Sequence, residues 1–256
     1  MSILAYHIID SKFTWGVTRV TPHLFSRQID LLIAAGKQFV TISDYVLFNE
    51  SDRLNKIAIT FDDGYESVFT HAFPILQNKG ILASVFVNPV FVGQYNTWDA
   101  NFGKRIKHMD WHQIQRLEQA GWEIGSHGLT HQDLTHLSPF RLQRELFVSQ
   151  RLIRKRIGHC STVFSFPFGN SNNRVRQRCK ESGYKHALVM GKAPRAGNVR
   201  NIWTRIGIYL FDVPFLFKYK VLAKSGFFLI LLKRVFNACS DLTVMAKSKK
   251  WNIDKN

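Results

Sequence analysis

Cysteine, glycine-rich loops and long apolar runs are scarce in this sequence, and each shortage argues against a class of protein. The three cysteines, Cys160, Cys179 and Cys239, are odd in number and lack C-x-x-C spacing, so we expect neither a disulfide framework nor a thiolate zinc site. No G-x-G-x-x-G loop occurs, which argues against dinucleotide binding. The apolar run GFFLILL at 226–232 is far shorter than the roughly 20 residues of a membrane-spanning helix.

Acidic residues are also few: 18 aspartates and glutamates face 35 lysines and arginines, which leaves a net charge of +17 on 256 residues. Such a charge favours polyanions, whether nucleic acid, phosphorylated glycan or anionic lipid. Nucleic acid is the least expected partner, because the basic residues are dispersed and no zinc-finger or RNP-like spacing is present. The first residues, MSILAYHIID, lack a secretory-signal pattern, so we expect a cytoplasmic protein.

Short apolar segments alternate with helical patterns along most of the chain, which is typical of βα units around a parallel sheet. We predict strands near residues 3–6, 39–41, 57–61, 83–87, 123–125, 163–166, 186–189 and 205–208. Helices are predicted over residues 22–36, 65–80, 110–121 and 138–158. Seven or eight such units indicate an α/β fold, a distorted (β/α) barrel, whose chemistry lies at the carboxyl ends of the strands.

The pattern changes after residue 215, and we divide the chain there into a main domain, 1–215, and a basic, amphipathic helical extension, 216–256. One interpretation is a helix packed on the barrel with a basic tail. The other is a helix at the inner face of the cytoplasmic membrane, with anionic lipid as the partner. In that case the apolar contacts come from Phe227, Phe228 and Leu231 and the charges from Lys224, Lys233 and Arg234.

The stretch IAITFDDGYESV, residues 57–68, places Asp62 and Asp63 side by side after an apolar strand. Neighbouring carboxylates repel each other and lose hydration when they are buried. An Asx-type turn with both side chains in water is one explanation. The alternative is a divalent cation that neutralises one carboxylate and leaves the other to act as a base.

The stretch GWEIGSHGLTHQDLT, residues 121–135, places His127 and His131 four residues apart after another predicted strand. A helical turn or a compact loop brings both imidazoles to one face, near enough to share a metal ion. Together with Asp63 they form a three-ligand set that leaves one position for water. Zn²⁺ is the expected metal, with Co, Ni, Mn or Fe as alternatives. We interpret seven other histidines as structural: His23, His71, His108, His112, His136, His159 and His186.

The stretches TFDDGYES, SHGLTH and FSFPFGN resemble, in this order, the polysaccharide deacetylases of the NodB-homology family, over residues 1 to about 215. The resemblance implies that Asp62 is the general base and that Asp63, His127 and His131 hold the metal. It also implies an oxyanion-binding backbone N–H near Phe168. Further substrate contacts are expected at Tyr65, Pro167 and Gly169.

The resemblance is incomplete at two places. Ser165 stands where many members have an arginine that orients the base, and Arg205 on a later strand is a candidate substitute. The late Leu-x-His that supplies the catalytic acid in many members is absent. The segment LAYHII at 4–9 resembles a permuted branch in which His7 becomes the acid, although a histidine with a purely structural role at a strand end is the alternative.

The function implied by the resemblance is hydrolysis of an N-acyl group, foremost N-acetyl, from an amino sugar in a glycan or a lipid-linked sugar. A deformylase or an O-acetyl esterase needs the same groups. A catalytically silent glycan- or membrane-binding relative is a further alternative, supported by the missing arginine. Trp98, Trp111 and Trp203 line a sugar groove or pack in the core. The oligomeric state is not indicated.

Overall fold

The computed structural model describes residues 3–12, 17–97, 105–190 and 201–222. The strands in these ranges are β1 (Ile3–Tyr6), β2 (Ile8–Ile9), β3 (Arg19–Val20), β4 (Gln38–Val40), β5 (Lys56–Phe61), β6 (Ser84–Val87), β7 (Glu123–Ser126), β8 (Val163–Ser165), β9 (His186–Met190) and β10 (Ile202–Gly207). The α-helices are α1 (Pro22–Ala34), α2 (Ile42–Leu47), α3 (Glu50–Arg53), α4 (Phe73–Gln77), α5 (Trp111–Gln119), α6 (Pro139–Ile157), α7 (Asn173–Glu181) and α8 (Pro214–Leu222).

Seven parallel strands form a closed barrel in the order β1, β10, β9, β8, β7, β6, β5, because β5 pairs again with β1. Strand β4 flanks the barrel and pairs with the first half of β5. Tyr6 pairs with Phe61, and Ala5 pairs with both Thr60 and Gly207, so β1, β5 and β10 end at one level. The predicted distorted (β/α) barrel is confirmed, and its carboxyl-terminal rim gathers the residues that follow these strands.

All eight predicted strands are present, and the largest difference is at β10, which begins at Ile202 rather than Arg205. The helix predicted over residues 65–80 is present but shorter: residues 66–77 are helical without a break, and a π-helical turn at Val68–Ala72 leads into α4. Pro74 has no N–H to donate to the preceding turn, which fits a change of helical hydrogen bonding at this point. Elements β2, β3, α2, α3 and α7 were not predicted from the sequence, whereas α8 overlaps the start of the predicted helical extension 216–256.

Aromatic packing supports the strand that leads into the aspartate pair. Phe61, the last residue of β5, stacks on Trp122 with ring centroids 5.6 Å apart and lies 5.8 Å from the ring of Tyr6. The buried hydroxyl of Tyr6 donates a hydrogen bond of 3.0 Å to Gln28 of α1. Because these side chains are fully buried, the strand end next to Asp62 is held on several sides.

Helix α8 crosses the proposed domain boundary at 215/216, and its Phe217 is buried in the main core. The division into two domains stays a prediction. The residues proposed to contact lipid, Lys224 to Arg234, lie outside the described residues. Within the described ranges, no helix has the length and apolar character needed to cross a bilayer.

Candidate active site and metal centre

Residues from three strand ends, those of β1, β5 and β7, meet at the carboxyl-terminal rim of the barrel. Asp62 and Asp63 follow β5, and the Asp62 backbone N–H donates to the carbonyl of Tyr6 at 3.0 Å, which joins the ends of β5 and β1. His7 follows β1 directly, and His127 follows β7. The rim therefore brings together groups that are distant in the sequence.

Asp63, His127 and His131 form a compact set of metal-ligating atoms. Asp63 Oδ1 lies 3.1 Å from His131 Nε2 and 3.5 Å from His127 Nε2. One ligand atom from each residue lies within 4.8 Å of the others, and all three residues are buried. Among the residues that the structure describes, no other group of His, Cys, Asp and Glu is arranged in this way.

The protonation of His127 fits a cation at this position. Its Nδ1 donates a hydrogen bond of 2.8 Å to the Ser165 carbonyl, so Nε2 of the neutral ring directs its lone pair toward Asp63. Burial lowers the pKa of His127 to about 4, so the ring is neutral near pH 7. One oxygen and two nitrogens facing one another are the ligands that Zn²⁺ and related divalent ions prefer.

Asp63 remains ionised in this setting. Burial acts to raise its pKa, but the neighbouring imidazoles, foremost His131, outweigh burial and lower the pKa well below the usual range. The residues present therefore fit a divalent cation, which Asp63, His127 and His131 would hold.

The backbone at the metal centre is strained. Asp63 has φ = 67° and His131 has φ = 54°, both in the left-handed region that costs a non-glycine residue about 1–3 kcal/mol. The next residue, Gly64, also has a positive φ, and a Cβ there would lie 2.8 Å from Cγ1 of Val87. Such conformations persist only where neighbouring groups hold the backbone in place, and here hydrogen bonds from buried side chains do so.

Two of these groups support the backbone of the ligands. His108 Nδ1 donates to the Asp63 carbonyl at 2.7 Å, and its buried ring packs against Tyr65 at 4.8 Å between centroids. Asn88, which follows β6, donates from Nδ2 to the His127 carbonyl at 2.5 Å and to the Gly128 carbonyl at 3.2 Å. From the sequence, His108 was interpreted as structural and Asn88 was not singled out, because neither belongs to a metal-binding motif.

We expect His108→Leu to weaken metal binding about 10-fold or more, because it removes the hydrogen bond that holds the Asp63 carbonyl. His108→Asn keeps an N–H donor near the position of Nδ1 and should bind metal almost as the parent does. Titration of the metal-free proteins with Zn²⁺ against a chromophoric chelator measures the difference. Equal affinities for the parent and the leucine variant, with both proteins folded, would exclude this role of His108.

Glu145 of α6 holds the loop between the two histidine ligands. Its carboxylate accepts hydrogen bonds from Leu129 N at 2.7 Å, Thr130 N at 3.0 Å and Thr130 Oγ1 at 2.5 Å. Two conformations were considered for this spacing, a helical turn and a compact loop. The structure shows the compact loop. Glu145 is buried, and these donors satisfy its carboxyl oxygens.

Arg205 binds the carboxylate of Asp62 with both guanidinium nitrogens, at 2.9 Å from Nη1 to Oδ1 and 2.5 Å from Nη2 to Oδ2. Ser165 Oγ also donates to Asp62 Oδ1 at 2.9 Å. Burial acts to raise the pKa of Asp62, but Arg205 and then His127 outweigh it and lower the pKa to about 2. Asp62 is thus ionised and held in one orientation, and Arg205 makes the contact that the resemblance assigns to the absent motif arginine.

His7 lies at the level of the aspartate pair, since it follows Tyr6 of β1, which pairs with Phe61, the residue before Asp62. Its Nδ1 is buried and has no hydrogen-bond partner in the structure. A ring whose nitrogen is not engaged by the fold is free to exchange a proton with a bound molecule. The role of His7 as the acid stays a prediction.

The residues predicted to contact substrate lie on two sides of the metal centre. Phe168 has φ = 58° in the short turn Pro167–Gly169, and its ring lies 4.7 Å from that of His131. Tyr65 is 1% exposed and packs on His108, so its side chain supports the centre from inside. A Cβ on Gly169 would lie 2.4 Å from Cβ of Met190, so only glycine fits there.

The predicted groove tryptophans differ in position. Trp203 lies in the first half of β10, donates from Nε1 to His186 Nδ1 at 3.1 Å and packs edge-on against Tyr45. Trp111 packs on the main core beneath the guanidinium of Arg156. Both therefore have packing roles, and Trp98 lies outside the described residues.

The sequence profile described as polysaccharide deacetylase matches residues 50–187, more than half of the chain. The chain belongs to the polysaccharide deacetylase family. The matched range contains the aspartate pair, both histidine ligands and the Ser165–Gly169 segment, whereas His7 and Arg205 lie outside it.

Relatives of known sequence and structure agree with the family and the fold. The chain is 27% identical over 192 residues to YxkH of Bacillus subtilis, covering 74% of this chain and 64% of YxkH. It is 24% identical over 197 residues to the poly-β-1,6-N-acetyl-D-glucosamine N-deacetylase of Staphylococcus epidermidis, covering 71% of this chain and 65% of the relative. It thus spans slightly less than two thirds of these curated relatives.

Two solved structures share the barrel. The Streptococcus pyogenes deacetylase PplD, in complex with acetate, superposes with a TM-score of 0.72 at 21% identity, covering 87% of this chain and 98% of PplD. IcaB from Ammonifex degensii superposes with a TM-score of 0.71 at 21% identity, covering 85% of this chain and 95% of IcaB. At this identity the likeness establishes the fold.

Proposed function

We propose that this polysaccharide deacetylase family member is a metal-dependent hydrolase that removes an N-acyl group, foremost N-acetyl, from an amino sugar in a glycan or glycan precursor. The observation that carries the proposal is the pair of adjacent aspartates with separate partners. Asp63 faces two imidazoles, and Asp62 is held ionised by Arg205. A purely structural metal site has no need of the second carboxylate. The Staphylococcus relatives named as N-deacetylases of an N-acetylglucosamine polymer support the substrate class.

Each residue of the rim has a defined task in this reaction. A bound divalent cation supplies a Lewis acid that lowers the pKa of water and polarises the acyl carbonyl. Asp62 accepts the proton of the attacking water, and because its pKa is only about 2, it needs a water that is more acidic than bulk water. His7 then donates a proton to the departing amine nitrogen, and acetate and the free amino sugar are released. A backbone N–H near Phe168 stabilises the oxyanion, typically by about 3 kcal/mol.

Zn²⁺ is the metal that we propose. One carboxylate oxygen and two imidazole nitrogens with an open fourth position are the ligand pattern of catalytic zinc sites. The same ligands accept Co, Ni, Mn or Fe, so metal analysis of protein purified without chelator tests the choice.

Removal of the metal is expected to abolish acetate release from short N-acetylglucosamine oligomers, and Zn²⁺ or one of its alternatives should restore it. His127→Ala should remain inactive after metal addition because it removes a ligand nitrogen. Formylated and lipid-linked amino sugars belong in the same assay. Full activity after exhaustive chelation would contradict metal dependence. Failure of the metal-loaded protein to release an acyl group from any of these substrates would contradict the function.

The alternative of a catalytically silent relative loses its main support in the structure. It was based on the missing motif arginine, and Arg205 makes a bidentate contact with the base from another strand. We propose a lipid-linked sugar as a substrate beside the glycan itself, and the cytoplasmic location stays a prediction.

A further inference from the structure

Four large apolar side chains are exposed along the segment that follows β10. They are Phe211, Val213, Phe215 and Tyr219, with exposed fractions of 51%, 47%, 66% and 44%. The rings of Phe215 and Tyr219, one helical turn apart on α8, pack together at 4.8 Å between centroids. We call these four residues the 211–219 patch. An exposed apolar cluster of this kind marks an interaction surface.

The patch is held firmly by the barrel. Phe217, on the opposite face of α8, is fully buried in the main core. Asp212 accepts hydrogen bonds from Tyr209 N at 2.7 Å and from Lys220 Nζ at 2.7 Å. Its carbonyl accepts from Gln28 Nε2 at 2.7 Å, which ties the segment to α1. Because the buried face of α8 is anchored, its aromatic face is kept toward the outside.

The patch begins at the same end of the barrel as the candidate active site. Gly207 at the end of β10 pairs with Ala5, and His7 follows two residues after Ala5. The chain continues along the rim, where Leu210 N donates to the Val17 carbonyl at 2.9 Å. A surface that docks through Phe211 and Val213 therefore begins four residues after the strand end at the rim that carries the candidate active site.

The charge around the patch indicates the kind of partner. Lys218 is exposed and lies between Phe215 and Tyr219 in the sequence. From residue 214 to the end, the sequence has nine lysines and arginines and two aspartates. Exposed aromatic residues combined with excess positive charge are typical of segments that bind the surface of an anionic bilayer. A second copy of this chain is disfavoured as the partner, because each copy carries a net charge of +17.

We propose that the 211–219 patch, together with Lys218, docks on the surface of an anionic lipid bilayer. The aromatic side chains enter the headgroup boundary, and the lysine binds lipid phosphate. The rim of the barrel then lies next to the membrane. If the proposed function holds, the substrate is an amino sugar that is linked to lipid or held near the bilayer. The docking itself is independent of that activity.

Co-sedimentation of the full chain with vesicles tests the proposal. We expect binding to mixed phosphatidylcholine–phosphatidylglycerol vesicles, weak binding to pure phosphatidylcholine vesicles, and weaker binding at high salt. The double substitution Phe211→Ser with Phe215→Ser should lower the partition coefficient about tenfold or more. The matched control is Phe140→Ser on α6, where the phenylalanine is also exposed, at 78%. Helix α6 packs against β7, which lies three strands away from β10 in the barrel, so Phe140 is remote from the patch. It should bind as the parent does.

The outcomes separate docking from catalysis. Loss of binding in the double variant, with acetate release from soluble oligomers unchanged, supports the proposal. Equal binding by the double variant and the Phe140→Ser control would overturn it, because the lipid contact would then lie elsewhere, for instance in residues 223–256. Absence of parent binding to anionic vesicles would also overturn it. If the protein binds vesicles but hydrolyses no acylated sugar, only the proposed function fails.

Discussion

Replacement of Asp62 by asparagine is expected to lower turnover by about 10²-fold to 10⁴-fold while the metal stays bound. Asparagine has nearly the same shape but cannot take a proton from water, and general base catalysis typically contributes a factor of this size. Asp63 would keep its two imidazole neighbours, since the substitution leaves the three metal-ligating side chains in place. Steady-state kinetics together with metal analysis of the same preparation measure both effects. Turnover equal to that of the parent would remove Asp62 from the mechanism.

A loss of folding must be separated from a loss of chemistry in this variant. Arg205 is buried, and removal of its carboxylate partner leaves an uncompensated charge, which typically destabilises a protein by about 3–5 kcal/mol. The double variant Asp62→Asn with Arg205→Met replaces the buried ion pair by neutral groups and is expected to fold. If this protein binds metal and its turnover falls clearly below that of Arg205→Met alone, the base assignment stands even where the single variant unfolds.

The matched substitution Asp63→Asn is expected to act on the other half of the pair. It removes the anionic ligand that faces both imidazoles, so the metal content of the purified protein should fall. A retained metal in Asp62→Asn and a depleted metal in Asp63→Asn would establish the division of labour between the two carboxylates. Equal metal content in the two variants would contradict it.

Substitution of Arg205 is expected to have the second largest effect. Arg205→Lys cannot reproduce the bidentate contact with Asp62, because an ammonium group is a point donor rather than a planar fork. We expect kcat to fall about tenfold or more, with a much smaller change in KM, because misplacing a catalytic group impairs the reaction more than binding. Stopped assays over a range of oligomer concentrations separate kcat from KM. An unchanged kcat would show that Asp62 does not depend on its guanidinium partner.

Exchange of the two side chains tests whether the position of the guanidinium matters. Ser165 Oγ already lies 2.9 Å from Asp62 Oδ1 and 2.9 Å from Arg205 Nη2, so both side chains reach the same carboxylate. The exchange Ser165→Arg with Arg205→Ser places the arginine where the family motif has it. We expect this protein to be more active than Arg205→Ser alone. If the exchange variant is no more active than Arg205→Ser, a guanidinium at position 165 does not replace the one that β10 supplies.

Much of the fold was predictable because its signals are local. The prediction for β1 coincides with the observed Ile3–Tyr6, since a short apolar run of this length is typical of a buried parallel strand. Thr21 caps α1 by accepting from Leu24 N at 3.2 Å, and Ser138 caps α6, as expected for residues just before a helix. The 65–80 segment was predicted as a helix and is one over residues 66–77, but its periodicity did not indicate the π-helical turn at Val68–Ala72 that precedes Pro74.

The metal-ligating residues were also predictable, for a reason that joins sequence and topology. Asp63 and His127 follow predicted strands, and the carboxyl ends of parallel strands meet at one rim. His131 lies four residues after His127, so a compact loop suffices to bring it close. These three residues needed only a correct barrel in order to converge.

The supports of the site could not be predicted in the same way. His108 holds the carbonyl of a residue 45 positions away. Arg205, which the sequence offered only as a candidate, binds a carboxylate 143 positions away. Asn88 and Glu145 likewise bind the backbone of the loop that begins at His127, through contacts that no local sequence pattern predicts. A buried polar side chain must find a partner, but its own segment does not indicate which one.

Local sequence was enough for the strands, the helix caps and the three residues that come together as candidate metal ligands, since apolar periodicity and short motifs are properties of neighbouring residues. The closed barrel decided which arginine faces Asp62, which histidine holds Asp63 and which aromatic face of α8 stays outside. Those pairings depend on side chains that become neighbours only when the chain is folded. In the folded barrel, a buried polar side chain without a hydrogen-bond partner would cost too much free energy.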